Sequence, residues 1–440
     1  MKIFRLSIAL SLGALGLLAQ SVLPSSGTPG TYIIRGATIH PVTSPVIPSG
    51  HLVIADGKIE RLGAGEAPAG VTGVVIDATG FHVYPGMIDA NTNIGLIEIN
   101  SVRGSVDSSE IGDFNPNARA SAALNPHSEL IPVTRVSGVT TVISVPEGGI
   151  ISGQGAMINL SGWTPQQMVL RDAIALYVDF PRLRSGGFNA AELAEEEKKA
   201  KKGYEKQLED LRQRIRDAQA FARAVEARAP GSTLPRLERD LVLESMQGVV
   251  GGRVPVVIQA DYARDIREAV KFAEEAGVRM ILSGGAHVQE VIDLLREKQI
   301  PVLLGPILSL PPRADDPYDL IFTNAAALHA AGIPFAIQTR DAHNARNLPY
   351  HAAACAAFGL PKEEALKSIT INPARIFGVD DVVGSLEPGK MANLFVADGD
   401  PLEITTNVRE VFIAGERMPM DSRHTLLYEK FRARPRKSAE

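Results

Sequence analysis

Val254-Pro255-Val256-Val257-Ile258-Gln259-Ala260 is a short apolar run, and residues 261–277 follow it with Ile266, Val270, Phe272 and Ala273 at helical spacing. Arg279-Met280-Ile281-Leu282-Ser283 then opens a second apolar run. A β-branched run too short for a buried helix, a stretch of 3.6-residue periodicity and another short run together read as a strand-helix-strand unit. Strands joined through a helix run parallel, because the helix returns the chain to the end of the sheet where it began. Similar runs recur at residues 139–145, 173–178, 300–304 and 334–339. This many units predicts an α/β chain whose parallel strands close into an eight-stranded (β/α)8 barrel of the TIM type, spanning residues 84–383.

Outward from the barrel, both chain ends read as β-structure. Residues 32–39 and 51–62 are β-rich, Asp56-Gly57 is a hairpin turn signal, and residues 74–77 and 82–84 continue in the same style. Short strands return at residues 392–397 and 410–413, with a turn at Ala414-Gly415-Glu416. The economical reading is a small β-sandwich-like domain built from residues 30–83 and 384–420. A charged segment at about residues 190–230, including Glu195-Glu196-Glu197-Lys198-Lys199, interrupts the barrel. Tyr204, Leu208, Leu211 and Ile215 recur there at intervals of four, three and four, on one face of a helix. Two readings stay open for it: a solvated helix lying over the barrel, or a helix that binds a partner. Ala229-Pro230-Gly231-Ser232 would then return the chain to the core.

Lys2 and Arg5 precede an uncharged apolar run at residues 6–18, and Ala19-Gln20-Ser21 offers small residues for cleavage. Residues 1–21 therefore read as a signal peptide, and the protein as exported to the periplasm or secreted. The run is short of the about 20 residues a spanning helix needs, so no integral membrane span is expected.

Composition narrows the partners. In 440 residues, 45 Lys and Arg stand against 50 Asp and Glu, a net charge of −5 that gives no electrostatic case for nucleic acid. Hydrophobic residues at 45% suit a sizeable core and a small-molecule pocket. Cys355 is the sole cysteine, which removes any disulfide framework or cysteine-rich metal site. It lies among alanines, where a packed small hydrophobe is the simpler reading than a nucleophile. Gly148-Gly149-Ile150-Ile151-Ser152-Gly153-Gln154-Gly155 lacks phosphate-loop spacing and reads as a tight connection between strands.

Pro85-Gly86-Met87-Ile88-Asp89, Ile369-Thr370-Ile371-Asn372-Pro373-Ala374, Val383-Gly384-Ser385-Leu386-Glu387-Pro388-Gly389-Lys390 and Asn393-Leu394-Phe395-Val396 stand in an order that resembles the amidohydrolase superfamily. The similarity is greatest to its imidazolonepropionase-like branch, which hydrolyses non-peptide C–N bonds. That resemblance implies one or two divalent metals, usually zinc, at the barrel mouth, where the metal turns bound water into an attacking hydroxide. It implies an Asp-x-His-x-His motif after the first strand, a histidine after each of the fifth and sixth, and an aspartate after the eighth.

Here Asp89-Ala90-Asn91-Thr92-Asn93 carries asparagine at both histidine positions, Gln259 stands at the fifth-strand position and Ser283 at the sixth. Thr339-Arg340-Asp341 keeps the expected acid, so Asp341 is the catalytic candidate, or else a cap on the following helix. Arg340, His343, Arg346 and Asn347 are the substrate-binding candidates. Amides and a hydroxyl are weak zinc ligands, so no metal is expected at Asn91, Asn93, Gln259 and Ser283. The nine histidines include no close pair, although His287 and His343 with Asp341 form an alternative, improvised site. Two functions remain. One is an exported hydrolase of C–N bonds in small cyclic amides or amino-acid derivatives with a reduced site around Asp341. The other is a non-catalytic binding protein, or a supporting subunit of an active paralogue, possible also as a homo-oligomer. A histidine in the mouth beside Asp341 favours the first, and a neutral hydrogen-bonding surface favours the second.

Overall fold

The structure is a computed structural model that describes residues 26–183, 190–228, 234, 235 and 237–434. The leader at residues 1–21 and the segment Ala229 to Ser232 lie outside the described residues. Among the described residues, no helix is long and apolar enough to cross a membrane.

Strands β1 (Tyr32–Ile39), β2 (Ile47–Ala55), β3 (Lys58–Ala64), β4 (Val74–Asp77) and β5 (His82–Pro85) begin the chain. The barrel strands are β6 (Met87–Thr92), β7 (Val139–Ser144), β8 (Ile151–Asn159), β9 (Val169–Asp179), β10 (Val256–Ala260), β11 (Met280–Gly284), β12 (Val302–Leu304) and β13 (Phe335–Ile337). Strands β14 (Leu394–Ala397), β15 (Val408–Ile413) and β16 (Glu416–Arg417) follow.

The terminal strands form one sheet, in the order β16-β15-β14-β5-β1-β2-β3, with β4 pairing residues 32–35 of β1 on the same edge that β5 takes at residues 38 and 39. The small β domain expected from both termini is present, and β5 pairs with both β1 and β14, which makes it a single continuous sheet. It folds over its own core of Ile34, Ile39, Leu52, Ile54, Leu394 and Phe412. The β2–β3 turn has Asp56 at φ 49 and Gly57 at φ 77, the left-handed pair that a tight hairpin requires.

The barrel sheet runs β6 through β13 in chain order, and seven of its eight strands share one direction. The all-parallel expectation fails at β8, which runs antiparallel to both β7 and β9. Only residues 145–150 join β7 to β8, too few for a crossover helix. Gly148 at φ 86 and Gly149 at φ 70 reverse the chain there in conformations that a side chain disfavours. Inside the barrel, Ile88, Ala90, Ile143, Met157, Tyr177, Val257, Ile281, Leu303 and Ala336 pack into one core, so the centre is filled and only the mouth is open.

The charged segment is one helix, Ala190–Glu226. Leu208, Leu211, Ile215 and Ala218 are buried along one side of it, and the helix contacts Leu241–Ser245, Gln247–Val250 and Ala263–Ala276. Cys355 is fully buried in the helix Leu348–Ala357, and burial pushes its thiol up to about 12.

Gly86, between the sheet and the barrel, sits so close to β7 that an added Cβ would lie 2.0 Å from Thr140 Oγ1. Gly86→Ala is expected to lower stability by ~1–3 kcal/mol, the usual cost of overpacking a filled core, with the change read as a shift in the denaturation midpoint.

Candidate functional site

The C-terminal ends of the parallel strands open on one face, and alternation along each strand decides which side chains reach it. Gln259 follows Val257 on β10, Ser283 follows Ile281 on β11, and Gln338 follows Ala336 past β13, each two residues beyond a core position. Past the end of β7, Ile143 and Val145 are succeeded in the same way by Glu147.

Three of these side chains meet. Ser283 Oγ lies 2.8 Å from Gln259 Oε1 and 3.0 Å from Gln338 Oε1. Gln259 Nε2 donates to Asp261 Oδ2 at 3.0 Å, and Gln338 Nε2 donates to the Gly305 carbonyl at 3.0 Å. Turning either amide over would set its oxygen against a carboxylate or carbonyl oxygen, so both orientations are fixed. A serine hydroxyl carries one proton. The cluster therefore holds two amide oxygens and one hydroxyl oxygen with a single proton between them, and it is short of a donor. Arg182 lies 3.5 Å from Asp261 Oδ2 and 3.6 Å from Asp179 Oδ1, which ties the rim of β9 to that of β10.

Across the mouth, Asn93 Nδ2 donates to Glu147 Oε1 at 3.0 Å, and Asn93 Oδ1 accepts from the Ala342 amide at 2.7 Å. The Glu147 carboxyl meets solvent on its outer side and protein on its inner side. That partial desolvation raises its pKa; Arg340 and the Asn93 hydrogen bond oppose the rise, and Asp341 adds to it. Asn91 gives its backbone oxygen to Arg340 N at 2.8 Å.

The strand ladder is missing between β13 and β6, and Asp89 closes that seam. Its buried carboxylate accepts from Thr339 N at 3.1 Å, from Asn91 N at 3.3 Å and from the Thr339 hydroxyl. Burial outweighs those bonds and pushes its pKa up to about 7.

Asp341 does not continue the inward row. Arg340 adopts φ 59, the left-handed region, and breaks the alternation just before it. Asp341 Oδ1 then accepts from His343 N at 2.8 Å and lies 3.3 Å from His343 Nδ1, while Oδ2 accepts from Asn344 Nδ2 at 2.9 Å. That is a side-chain cap on the turn leading into Ala345–Asn347. Arg346 and Asn347 lie in that turn, and Asn347 Nδ2 donates to Asn344 Oδ1 at 3.2 Å. His287 is elsewhere: its Nε2 sits 3.0 Å from both Asp316 oxygens, and its ring packs on Tyr262. Thus His343 stands beside Asp341 as part of the cap, and His287 does not join them. Sequence reading missed Glu147, Gln338 and Asp261; extending period two past β7 and β13 would have found the first two.

Among the described residues, no three His, Cys, Asp or Glu side chains gather as a metal-binding group.

A barrel of this topology with its polar groups at the strand ends, joined to a sheet made from both termini, defines a class that the sequence comparisons name. The sequence model of the amidohydrolase family matches residues 189–418, more than half of the chain. The chain belongs to the amidohydrolase family. It is 23% identical over 391 residues to the amidohydrolase tasK of Hapsidospora irregularis, covering 81% of this chain and 38% of that protein. It is 42% identical over 69 residues to a D-hydantoinase of Rhizobium radiobacter, covering 16% of this chain and 14% of that protein. The chain thus spans well under half the length of either curated relative. Among solved structures, an amidohydrolase from Thermotoga maritima MSB8 superposes with a TM-score of 0.77 at 27% identity, covering 88% of this chain and 99% of that one. Molinate hydrolase, at 17% identity and a TM-score of 0.54 over 94% of this chain and 99% of its own, shares the fold.

Asp89 sets a pH dependence. Its pKa is higher folded than unfolded, so the unfolded state gives up its proton first as pH rises, and stability falls between about pH 4 and pH 7. Asp89→Asn keeps the shape without the charge. Denaturant titrations at pH 4.5 and pH 8 are expected to show a loss of a few kcal/mol in the parent, at ~1.4 kcal/mol per pH unit, that is absent from the variant.

Proposed function

We propose that the barrel mouth of this amidohydrolase-family chain recognises a small amide- or amino-acid-derived molecule through neutral hydrogen-bonding groups, without zinc-assisted hydrolysis of its C–N bond. The donor-poor cluster of Gln259, Ser283 and Gln338 carries this reading. Ser283 and Gln338 are buried, at 1% and 0% exposed, so an amide or ammonium N–H that supplies the missing donor reaches the cluster from the side of Gln259, 7% exposed. Arg340, on the same mouth, suits the ligand's carbonyl or carboxylate.

The donor chemistry does not fit zinc. Zinc selects imidazole, thiolate and carboxylate, whereas the positions that the family resemblance gives to histidine hold Asn91, Asn93, Gln259 and Ser283. Asn93, Gln259 and Ser283 are moreover engaged with protein groups.

A second reading, hydrolysis of the C–N bond in a small cyclic amide or amino-acid derivative, has its own support. Glu147 is a mouth carboxyl of raised pKa next to Arg340, the kind of group that can take a proton from water while a cation holds the carbonyl oxygen. The relative called a D-hydantoinase fits the cyclic-amide class, and the imidazolonepropionase-like resemblance points the same way.

Metal content by mass spectrometry after dialysis against a mild chelator is expected to be far below one zinc per chain. Near-stoichiometric zinc that disappears in Asp341→Ala would sink the main reading. In calorimetric titrations with hydantoin and N-acetyl amino acids, Ser283→Ala or Gln259→Ala is expected to weaken binding about five- to tenfold, for a hydrogen bond worth ~1–1.5 kcal/mol. Turnover of those compounds that is lost in Glu147→Gln would establish the second reading instead.

A further inference from the structure

A cavity of about 540 Å³ lies away from the mouth, where the β1–β2 loop meets the helix Lys362–Ser368. Tyr84, on its floor, stands three residues before the first barrel strand begins, on the side where the strands start. The volume falls within the ~300–1,000 Å³ of small-molecule sites.

Three rings are stacked through the junction. The Phe395 and Tyr84 centroids are 5.4 Å apart at 22°, and those of Tyr84 and His40 are 4.3 Å apart at 15°. His40 is the last ring of this stack and forms part of the cavity wall. Its Nε2 lies 3.0 Å from His82 Nδ1. Burial, then the neighbouring His82, pushes the His40 pKa down to about 4, so the imidazole is neutral under ordinary conditions. One proton lies across that contact. If His82 donates, His40 Nδ1 carries a hydrogen; if His40 donates, its Nδ1 is a bare acceptor. The pair can therefore offer His40 Nδ1 in either role by exchanging tautomers.

The lysines of the remaining wall carry their own counter-charges. Lys362 Nζ lies 3.2 Å from Asp400 Oδ2 and 2.7 Å from Glu403 Oε1, and Lys367 Nζ lies 2.8 Å from Glu364 Oε1. Each ammonium on the wall is thus already paired. Leu366, Leu402 and Val42 supply apolar surface. Val42 itself is strained, at φ 65, a region that a β-branched residue almost never occupies. The Thr43–Glu387 hydrogen bond of 2.7 Å and the Leu386 N to Pro41 O bond hold its loop in place. Strain retained at the rim of a cavity is a mark of a binding site.

We propose that this cavity is a second ligand site, which takes an uncharged, planar nitrogen heterocycle of bicyclic size, packed against the His40 and Tyr84 rings that line it and hydrogen-bonded to His40 Nδ1. The site is independent of the mouth and of whatever reaction or recognition the mouth performs.

Nitrogen-15 imidazole spectra of the histidine-labelled protein test it, with adenine and indole as probes and benzoate and cyclohexanecarboxamide as controls. The His40 and His82 signals are expected to shift saturably with millimolar or lower adenine or indole, and at least tenfold more weakly with the controls. Leu366→Trp, which fills the cavity, should abolish the shifts. Val46→Trp, at an exposed rim position that the fold does not depend on, should weaken them several-fold and decides the matter if the first variant does not fold. No saturable shift with either heterocycle, an equal response to benzoate, or shifts unchanged in the folded variants would each overturn the proposal.

Discussion

A barrel must join its last strand to its first, and here a buried carboxylate does it. β13 is three residues long and β6 changes register after Asp89, so the two cannot form a regular ladder. Asp89 spans the gap by accepting the amide and hydroxyl protons of Thr339, and its own strand adds the Asn91 amide proton; one backbone bond, Arg340 N to Asn91 O, crosses beside it. The cost is a desolvated carboxyl whose charge is disfavoured at neutral pH. Everything at the mouth follows from this closure, because it fixes Asn91, Thr339 and Arg340 relative to one another.

The closure also explains the two sides of the mouth. Along β10, β11 and β13, alternation persists to the strand ends and brings Gln259, Ser283 and Gln338 into contact. On the β13–β6 side, the left-handed Arg340 turns the chain out of register, and Asp341 is spent on capping. Asp341 thereby leaves the inward row and hydrogen-bonds within its own turn, close enough to Glu147 for its charge to be felt there. Glu147, contributed by the strand next to β6, is the carboxyl that faces the mouth. That matters chemically, since Glu147 has Arg340 as a neighbouring cation and a raised pKa, to which the nearby Asp341 charge adds, while Asp341 is itself hydrogen-bonded within its own turn.

The small sheet serves the barrel by tying both termini to its base. β5 leads directly into β6 and also pairs with β14, so the first barrel strand is anchored by the end of the chain. Tyr84 and Phe395, facing each other across that pairing, bury aromatic surface at the junction. The His40 cavity lies between this junction and residues 42–46 of the β1–β2 loop.

The sequence by itself determined the strand-helix repetition, the family, the pairing of the chain ends and the residue types at the mouth, because hydrophobic period and local motif order are properties of short segments. Asp56-Gly57 and the apolar runs before Gln259 and Ser283 were legible for that reason. The reversal at β8, the single continuous sheet, the capping role of Asp341 and the separation of His287 from it were decided only by tertiary structure. Each depends on a loop too short for a helix, a backbone angle at one residue or a partner more than twenty positions away, and neither periodicity nor spacing in one chain carries that information.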